Sequence, residues 1–185
     1  MGESGETRTR VVTDLRQHVR DIPGFPKPGI VFKDIMPLLA DPALLRQVVH
    51  DLAEFARPLR PDVILGAEAR GFIFGSALAY ELGVGFAAAR KPGKLPYRTV
   101  RATYDLEYGT DSLELHVDAI APGTRVLIHD DLLATGGTAR AKADLVRQLG
   151  GEVVGAAFVI ELSFLPGRAA LEPIPVHSLI AYDGE

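Results

Sequence analysis

Two adjacent carboxylates, Asp130 and Asp131, close an apolar run, and a small-residue loop follows them: Ala134-Thr135-Gly136-Gly137-Thr138. The chemistry open to this arrangement is anion capture. A loop that opens straight into a helix presents backbone N–H groups that have no partner inside the helix, and the helix dipole favours negative charge at that end. Glycine lets the backbone approach a phosphate closely, and the hydroxyls of Thr135 and Thr138 add donors. Two carboxylates beside such a cup would repel a bare phosphate. They suit a ligand that also carries hydroxyl groups and a divalent cation, as a ribose phosphate with magnesium does. A strand, a glycine turn and a helix also occur together as plain connection in many α/β proteins. The loop lacks the Gly-Lys-Ser/Thr of a nucleotide-triphosphate loop and the Gly-x-Gly-x-x-Gly of a dinucleotide site.

Other chemistries are excluded or weak. The chain has no Cys, which removes disulfides, a thiolate nucleophile and Cys-ligated zinc or iron–sulfur centres. Its five His residues show no metal-ligand spacing, and His129, inside the apolar run, reads as a hydrogen-bonded structural side chain. No Gly-x-Ser-x-Gly elbow is present. A net charge of -4 argues against a nucleic-acid binder. No apolar stretch is long enough to cross a bilayer, and the first ten residues carry no signal-peptide core, so a cytoplasmic location is expected. Two cationic features stand out. Arg70 falls just past an apolar run and before Gly71-Phe72, a second candidate anion cup; alone it would read as a surface salt bridge. Arg90, Lys91, Lys94, Arg98 and Arg101 lie between Phe86 and Tyr104 with no Asp or Glu among them. Alone, that run would read as a solvated basic face.

The elements needed to position these groups follow from periodicity and punctuation. At 185 residues and 47% hydrophobic content, the chain is expected to form one domain with additions. An amphipathic helix is expected over Val12 to Arg20, stopped by Pro23-Gly24, and Phe25-Pro26-Lys27-Pro28-Gly29-Ile30 forms a stiff loop. Asp41-Pro42 reads as an N-cap followed by proline at the first helical position, with a helix to about Arg57. Strands are expected at Val63 to Leu65, Gly85 to Ala89, Val126 to Ile128, Val153 to Ile160 and Ser178 to Ala181, with helices over Gly71 to Leu82 and Thr138 to Leu149. Strands alternating with helices imply crossovers and a mostly parallel sheet. Thr99 to Tyr108 and Asp111 to Ala119 read as a hairpin apart from that sheet.

The strand, the Asp pair, Ala-Thr-Gly-Gly-Thr and the helix together resemble the motif by which type I phosphoribosyltransferases bind 5-phosphoribosyl-1-pyrophosphate (PRPP). The resemblance runs from about Arg20 to Tyr182 and is greatest to the adenine-using branch. Its carriers, in order, are Phe25 to Ile35, Gly66-Ala67-Glu68-Ala69-Arg70-Gly71-Phe72, Arg90-Lys91-Pro92-Gly93-Lys94-Leu95-Pro96 and Tyr104-Asp105-Leu106-Glu107-Tyr108-Gly109. The resemblance implies an α/β fold with a mostly parallel sheet flanked by helices, an N-terminal hood and a flexible flap. It divides the chain into a disordered tail (1–10), a helix and base-binding hood (11–40) and a core (41–185) with a mobile catalytic loop near 97–115. Asp130 and Asp131 would face the ribose, and Ala134 to Thr138 the 5'-phosphate. Glu68, Ala69 and Arg70, with a cis Glu68–Ala69 peptide, would meet the pyrophosphate together with Arg90, Lys91, Lys94 and Tyr108. Beside two anion cups, the basic run becomes a pyrophosphate clamp. Glu107 would act as the acid/base for the purine proton. Val31, Phe32 and Lys33 of the hood and the pair Glu161-Leu162 would hold adenine, Leu162 and Phe32 on opposite faces. Magnesium would be held mainly by substrate and water, near Asp130 and Asp131. A homodimer is implied, with no nucleic-acid or membrane partner. A transferase for another base, and a PRPP-sensing regulator without activity, remain as alternatives.

The charge balance is local. Phe86 to Tyr104 carries +5, which leaves -9 on the rest of a chain whose net charge is -4.

Overall fold

The computed structural model describes residues 13–105 and 110–184. Its centre is a five-stranded, wholly parallel sheet built from β3 (Val63–Ala67), β4 (Gly85–Ala89), β7 (Arg125–Leu133), β8 (Glu152–Leu162) and β9 (Val176–Tyr182), in the order β4-β3-β7-β8-β9. The interior strands carry apolar runs through the middle of the sheet, Val63 to Leu65, Val126 to Ile128 and Val153 to Ile160, as strands covered on both faces must. Two antiparallel hairpins lie outside this sheet: β1 (Arg20–Pro23) with β2 (Val31–Asp34), and β5 (Thr99–Asp105) with β6 (Thr110–His116).

Alternation along the strands assigns the two faces. Ile64 and Leu127 pack toward α2 (Pro42–Ala56) and α3 (Arg70–Leu82), beside Leu52, Phe74 and Leu78. Leu65 and Val126 pack on the other face against α4 (Gly137–Gln148), through Leu145 and Val146, and against Ala102, Leu113 and Leu115 of the β5–β6 hairpin. The second helix starts as its sequence dictates. Asp41 accepts hydrogen bonds from the N–H groups of Ala43 (2.7 Å) and Leu44 (3.2 Å), with Pro42 at the first helical position.

Two expectations are corrected. Val12 to Arg20 does not form an amphipathic helix: the described part holds only a single 3-10 turn, Leu15–His18, capped by Asp14, after which the chain enters β1. Leu15 and Val19 reach the core without a helix, and pairing of Arg20 to Pro23 with β2 satisfies the backbone that a helix would otherwise have served. A short helix, α1 (Met36–Ala40), follows β2 instead. Strand β7 also runs on through Asp130-Asp131 to Leu133, because Leu132 and Leu133 continue the ladder with Ile160 and Glu161 of β8. Among the described residues, no helix is long and apolar enough to cross a membrane.

Candidate active site

Two strand-to-helix junctions at the carboxyl ends of β3 and β7 meet across one cavity of about 270 Å³. From the first come Glu68, Ala69 and Arg70; from the second come Asp130, Asp131 and the loop Ala134 to Thr138. Phe158 of the neighbouring strand lines the same cavity. The crevice at the carboxyl edge of a parallel sheet, between adjacent strands whose crossovers lie on opposite faces, is the expected ligand site of this architecture. The Glu68–Ala69 peptide is cis.

The loop is shaped by glycine at one decisive position. Gly136 adopts φ +88°, in the left-handed region, and immediately precedes α4. A Cβ there would lie 2.8 Å from both the Ala170 methyl and the Gly167 carbonyl oxygen. Gly136→Ala is therefore expected to reopen the loop, destabilise the protein by about 1–3 kcal/mol and weaken phosphate binding at least tenfold. Chemical denaturation and titration with ribose 5-phosphate would measure the two effects; a variant with unchanged affinity would show that the cup does not depend on this backbone.

The two carboxylates are held differently. Asp130 accepts a hydrogen bond from Lys142 Nζ at Oδ2 (2.8 Å) and one from the Asp131 N–H at Oδ1 (3.1 Å). Asp131 pairs at Oδ2 with Arg70 Nε (3.0 Å). Burial and the neighbouring Asp130 charge push the Asp131 carboxyl up to about 7, and the Arg70 guanidinium opposes this only in part. Arg70 also sits 4.6 Å above the Phe32 ring, so one side chain joins the acid pair to the β1–β2 hairpin.

The basic run is not a bare clamp. Three of its five cations have carboxylate partners placed by tertiary structure. Arg90 donates to Glu68 Oε2 (2.8 and 3.1 Å), Lys91 Nζ pairs with Asp111, and Arg101 donates to Glu114 across the hairpin (2.6 Å). Burial pushes Glu68 up, but the Lys91 backbone N–H and the Arg90 guanidinium outweigh it and hold Glu68 below the ordinary carboxylate range. Lys94 joins the same corner through its carbonyl, which accepts from Arg90 (3.2 Å). Tyr104 Oη donates to Asp111 (3.2 Å) and accepts from Thr138 (3.4 Å), tying the β5–β6 hairpin to the phosphate loop.

The residues expected around the base divide. Glu161 and Leu162 end β8, with Glu161 opposite Leu133 in the ladder. Glu161 is buried, and Arg168 grips both of its oxygens (3.0 and 2.6 Å), holding the carboxyl below its ordinary range. Phe32 faces Arg70, while Val31 pairs with Pro23 in the hairpin. Lys33 departs from expectation. Strand alternation turns it to the opposite side from Phe32, where its ammonium binds Asp21 (2.9 Å) and lies 4.2 Å above the Tyr182 ring. Glu107 and Tyr108 lie outside the described residues.

His129 is also corrected. It is fully buried as a structural side chain, but neither ring nitrogen has a hydrogen-bond partner within normal geometry. Burial pushes its pKa down to about 4, with the Asp130 charge opposing. Two residues were not foreseen, Lys142 and Arg168. Lys142 left a signal: a lone cation on a helix face otherwise made of Ala139, Ala143 and Val146. Arg168 left none, since its partner is reached only through the turn after β8. Among the described residues, no group of three or more His, Asp or Glu side chains converges to hold a metal ion. The acid pair, already tied to Lys142 and Arg70, fits an ion that arrives bound to a substrate.

A parallel sheet with an acid pair and an anion cup at its carboxyl edge is found here in a chain whose residues 38–170 match the signature of a phosphoribosyl transferase domain. The chain belongs to the phosphoribosyltransferase family. Within that family its near-full-length relatives are adenine phosphoribosyltransferases. That of Brevibacillus brevis is 58% identical over 91% of this chain and 99% of its own length. Among solved structures, the adenine phosphoribosyltransferase of Thermoanaerobacter pseudethanolicus is 52% identical with a TM-score of 0.89, over 91% of this chain and 98% of that one. The Saccharomyces cerevisiae enzyme, complexed with an imino-altritol bisphosphate and adenine, is 43% identical with a TM-score of 0.84, over 89% of this chain and 96% of that one.

Proposed function

We infer that the chain transfers the 5-phosphoribosyl group of PRPP to adenine, giving AMP and pyrophosphate. The observation that carries this is the single cavity shared by the acid pair, the phosphate loop and the Glu68–Arg70 junction, in a chain so similar to adenine phosphoribosyltransferases along its length. The loop Ala134 to Thr138 binds the 5'-phosphate, and Asp130 and Asp131 accept hydrogen bonds from the ribose hydroxyls. As the bond from C1 to the pyrophosphate oxygen breaks, positive charge grows on the sugar and the two carboxylates offset it. The pyrophosphate leaves toward the Ala69 backbone and toward Arg70, Arg90, Lys91, Lys94 and Tyr108, with Arg70, Arg90 and Lys91 exchanging their carboxylate partners for phosphate oxygens. Asp130 and Asp131 would lie nearest a magnesium ion that arrives with the substrate, and such an ion would supply charge neutralisation of the leaving pyrophosphate.

Adenine then attacks C1 through a ring nitrogen, and Glu107 accepts the proton that nitrogen loses. The hairpin of residues 20–34 covers the base, with Phe32 on one face and Leu162 on the other, while backbone groups near Val31 read the exocyclic amine. Glu161 positions this edge through its clasp with Arg168. The segment from Tyr97 to about Leu115 closes over the site and keeps water from the sugar cation. A homodimer, which rests on the resemblance to the family, and the cytoplasmic location expected from the sequence complete the proposal.

The test is pyrophosphate release and nucleotide formation with PRPP and a panel of adenine, hypoxanthine, guanine and orotate. Adenine is expected to exceed every other base by at least about 100-fold in kcat/KM, since a site that accepts a hydrogen bond from the 6-amine leaves buried groups unpaired against bases that carry a carbonyl oxygen there or have no purine ring. Comparable rates with another base would overturn the base assignment. PRPP binding with no AMP formed would make the chain a sensor.

A further inference from the structure

Lys142 has no role in the chemistry above, yet it is fully buried six residues into α4, and its ammonium reaches the site from behind. We infer that Lys142 is a positioning residue for Asp130: by donating at once to the Asp130 carboxylate and the His129 carbonyl, it holds that carboxylate in one orientation toward the ribose. The inference rests on the reading of Asp130 as a ribose ligand.

The geometry is a tether on the protein side of the carboxylate. Lys142 Nζ lies 2.8 Å from Asp130 Oδ2 and 2.6 Å from the His129 carbonyl oxygen. Oδ1 accepts the Asp131 N–H and rests against Gly71, where an added Cβ would lie 2.6 Å away. Both oxygens are thus located from behind, while the residue keeps a face on the cavity. A buried ion pair is seldom the most stabilising choice for such a position; an apolar side chain of similar volume opposite a neutral partner usually does as well. Its distinct property is that a carboxylate so held cannot swing. Preorganised charge of this kind acts on a developing cation without reorganising at the moment of reaction. The other acid lacks this tether. Asp131 is paired with Arg70, whose side chain is one-third exposed and can exchange its partner for a ligand. Lys142 has no exposed surface through which to do so.

The test is a double-mutant cycle on steady-state kinetics, with wild type, Lys142→Met, Asp130→Asn and the double variant, each checked for a cooperative melt. Methionine keeps the length of lysine without its charge. Lys142→Met is expected to lower kcat/KM for PRPP about tenfold, within the range of coupling between contacting residues, with KM for adenine within about twofold. In the Asp130→Asn background the same change is expected to alter kcat/KM by no more than about twofold, because the group it positions is gone. Full activity in Lys142→Met, or an equal loss in both backgrounds, would overturn the inference and leave Lys142 a part of the core. Should Lys142→Met alone not fold, the comparison of Asp130→Asn with the double variant decides, since the double variant lacks both charges: a loss of more than about twofold between them would overturn the inference. Wild-type kcat/KM in Asp130→Asn would instead refute the ribose role and with it the premise.

Discussion

Asp131→Asn is expected to lower kcat/KM for PRPP by about 100-fold or more, the scale at which removing one preorganised group from a developing charge is felt. The side chain is 7% exposed, and burial with the adjacent Asp130 charge raises its pKa to about 7, well above the ordinary 3.8. A hydroxyl donor needs the ionised form, so kcat/KM for PRPP, which reports the free enzyme, should rise between pH 6 and 8 and level off above. The limb is assigned to Asp131, the buried acid beside a second carboxylate. Asp131→Asn should abolish it. The sign for stability is opposite. Between pH 3.8 and 7 the native state holds a proton that the unfolded chain has lost, so this group's contribution falls as pH rises and is a cost at pH 8. The variant should then be slower but no less stable at pH 8. Kinetics across pH with melts at pH 8 check both; a retained limb in the variant would assign it elsewhere.

The second large effect concerns acid stability. His129→Leu is expected to make the protein resist acid better, by about 2 kcal/mol between pH 8 and pH 5. The native pKa is about 4 and the ordinary value 6.5. As pH falls below 6.5 the unfolded chain takes up a proton that the folded one refuses, so stability is full above 6.5 and is lost progressively toward 4. Leucine removes that linkage, and it also removes two ring nitrogens that have no hydrogen-bond partner. Urea unfolding of both proteins at pH 8 and pH 5 gives the difference directly. Equal pH dependence would mean that His129 is solvated or partnered in solution.

Much of this architecture is legible in the amino-acid sequence, and unevenly so. The second helix was legible because Asp41-Pro42 is a local signal, satisfied by neighbours two and three residues on. The parallel sheet was legible because short apolar runs such as Val63 to Leu65 alternate with helical periods. The first residues were misread because Leu15 and Val19 supply helical spacing, while the deciding force, pairing of Arg20 to Pro23 with Val31 to Asp34, is tertiary. The acid pair and loop could be named from sequence since they are contiguous. Their partners could not. Arg70 reaches Asp131 from 61 positions away, and Lys142 reaches Asp130 across the strand-to-helix turn. The partners of the basic run are hidden for the same reason: Glu68, Asp111 and Glu114 all lie outside Phe86 to Tyr104, and only folding brings them to it.

The continuation of β7 past the acid pair makes the sheet a ruler. Leu133, two residues beyond Asp131, sits in register with Glu161, and Leu162 follows in register with Tyr182 of β9. The distance from the acid pair to Glu161 and Leu162, the proposed sugar and base ends of the site, is therefore counted out in ladder rungs, about 4.8 Å across and 3.3 Å along, rather than left to loops. A slip of one rung between β7 and β8 would turn Glu161 to the other face. The size of base the site admits is, on this view, a property of backbone registration as much as of the side chains that touch it.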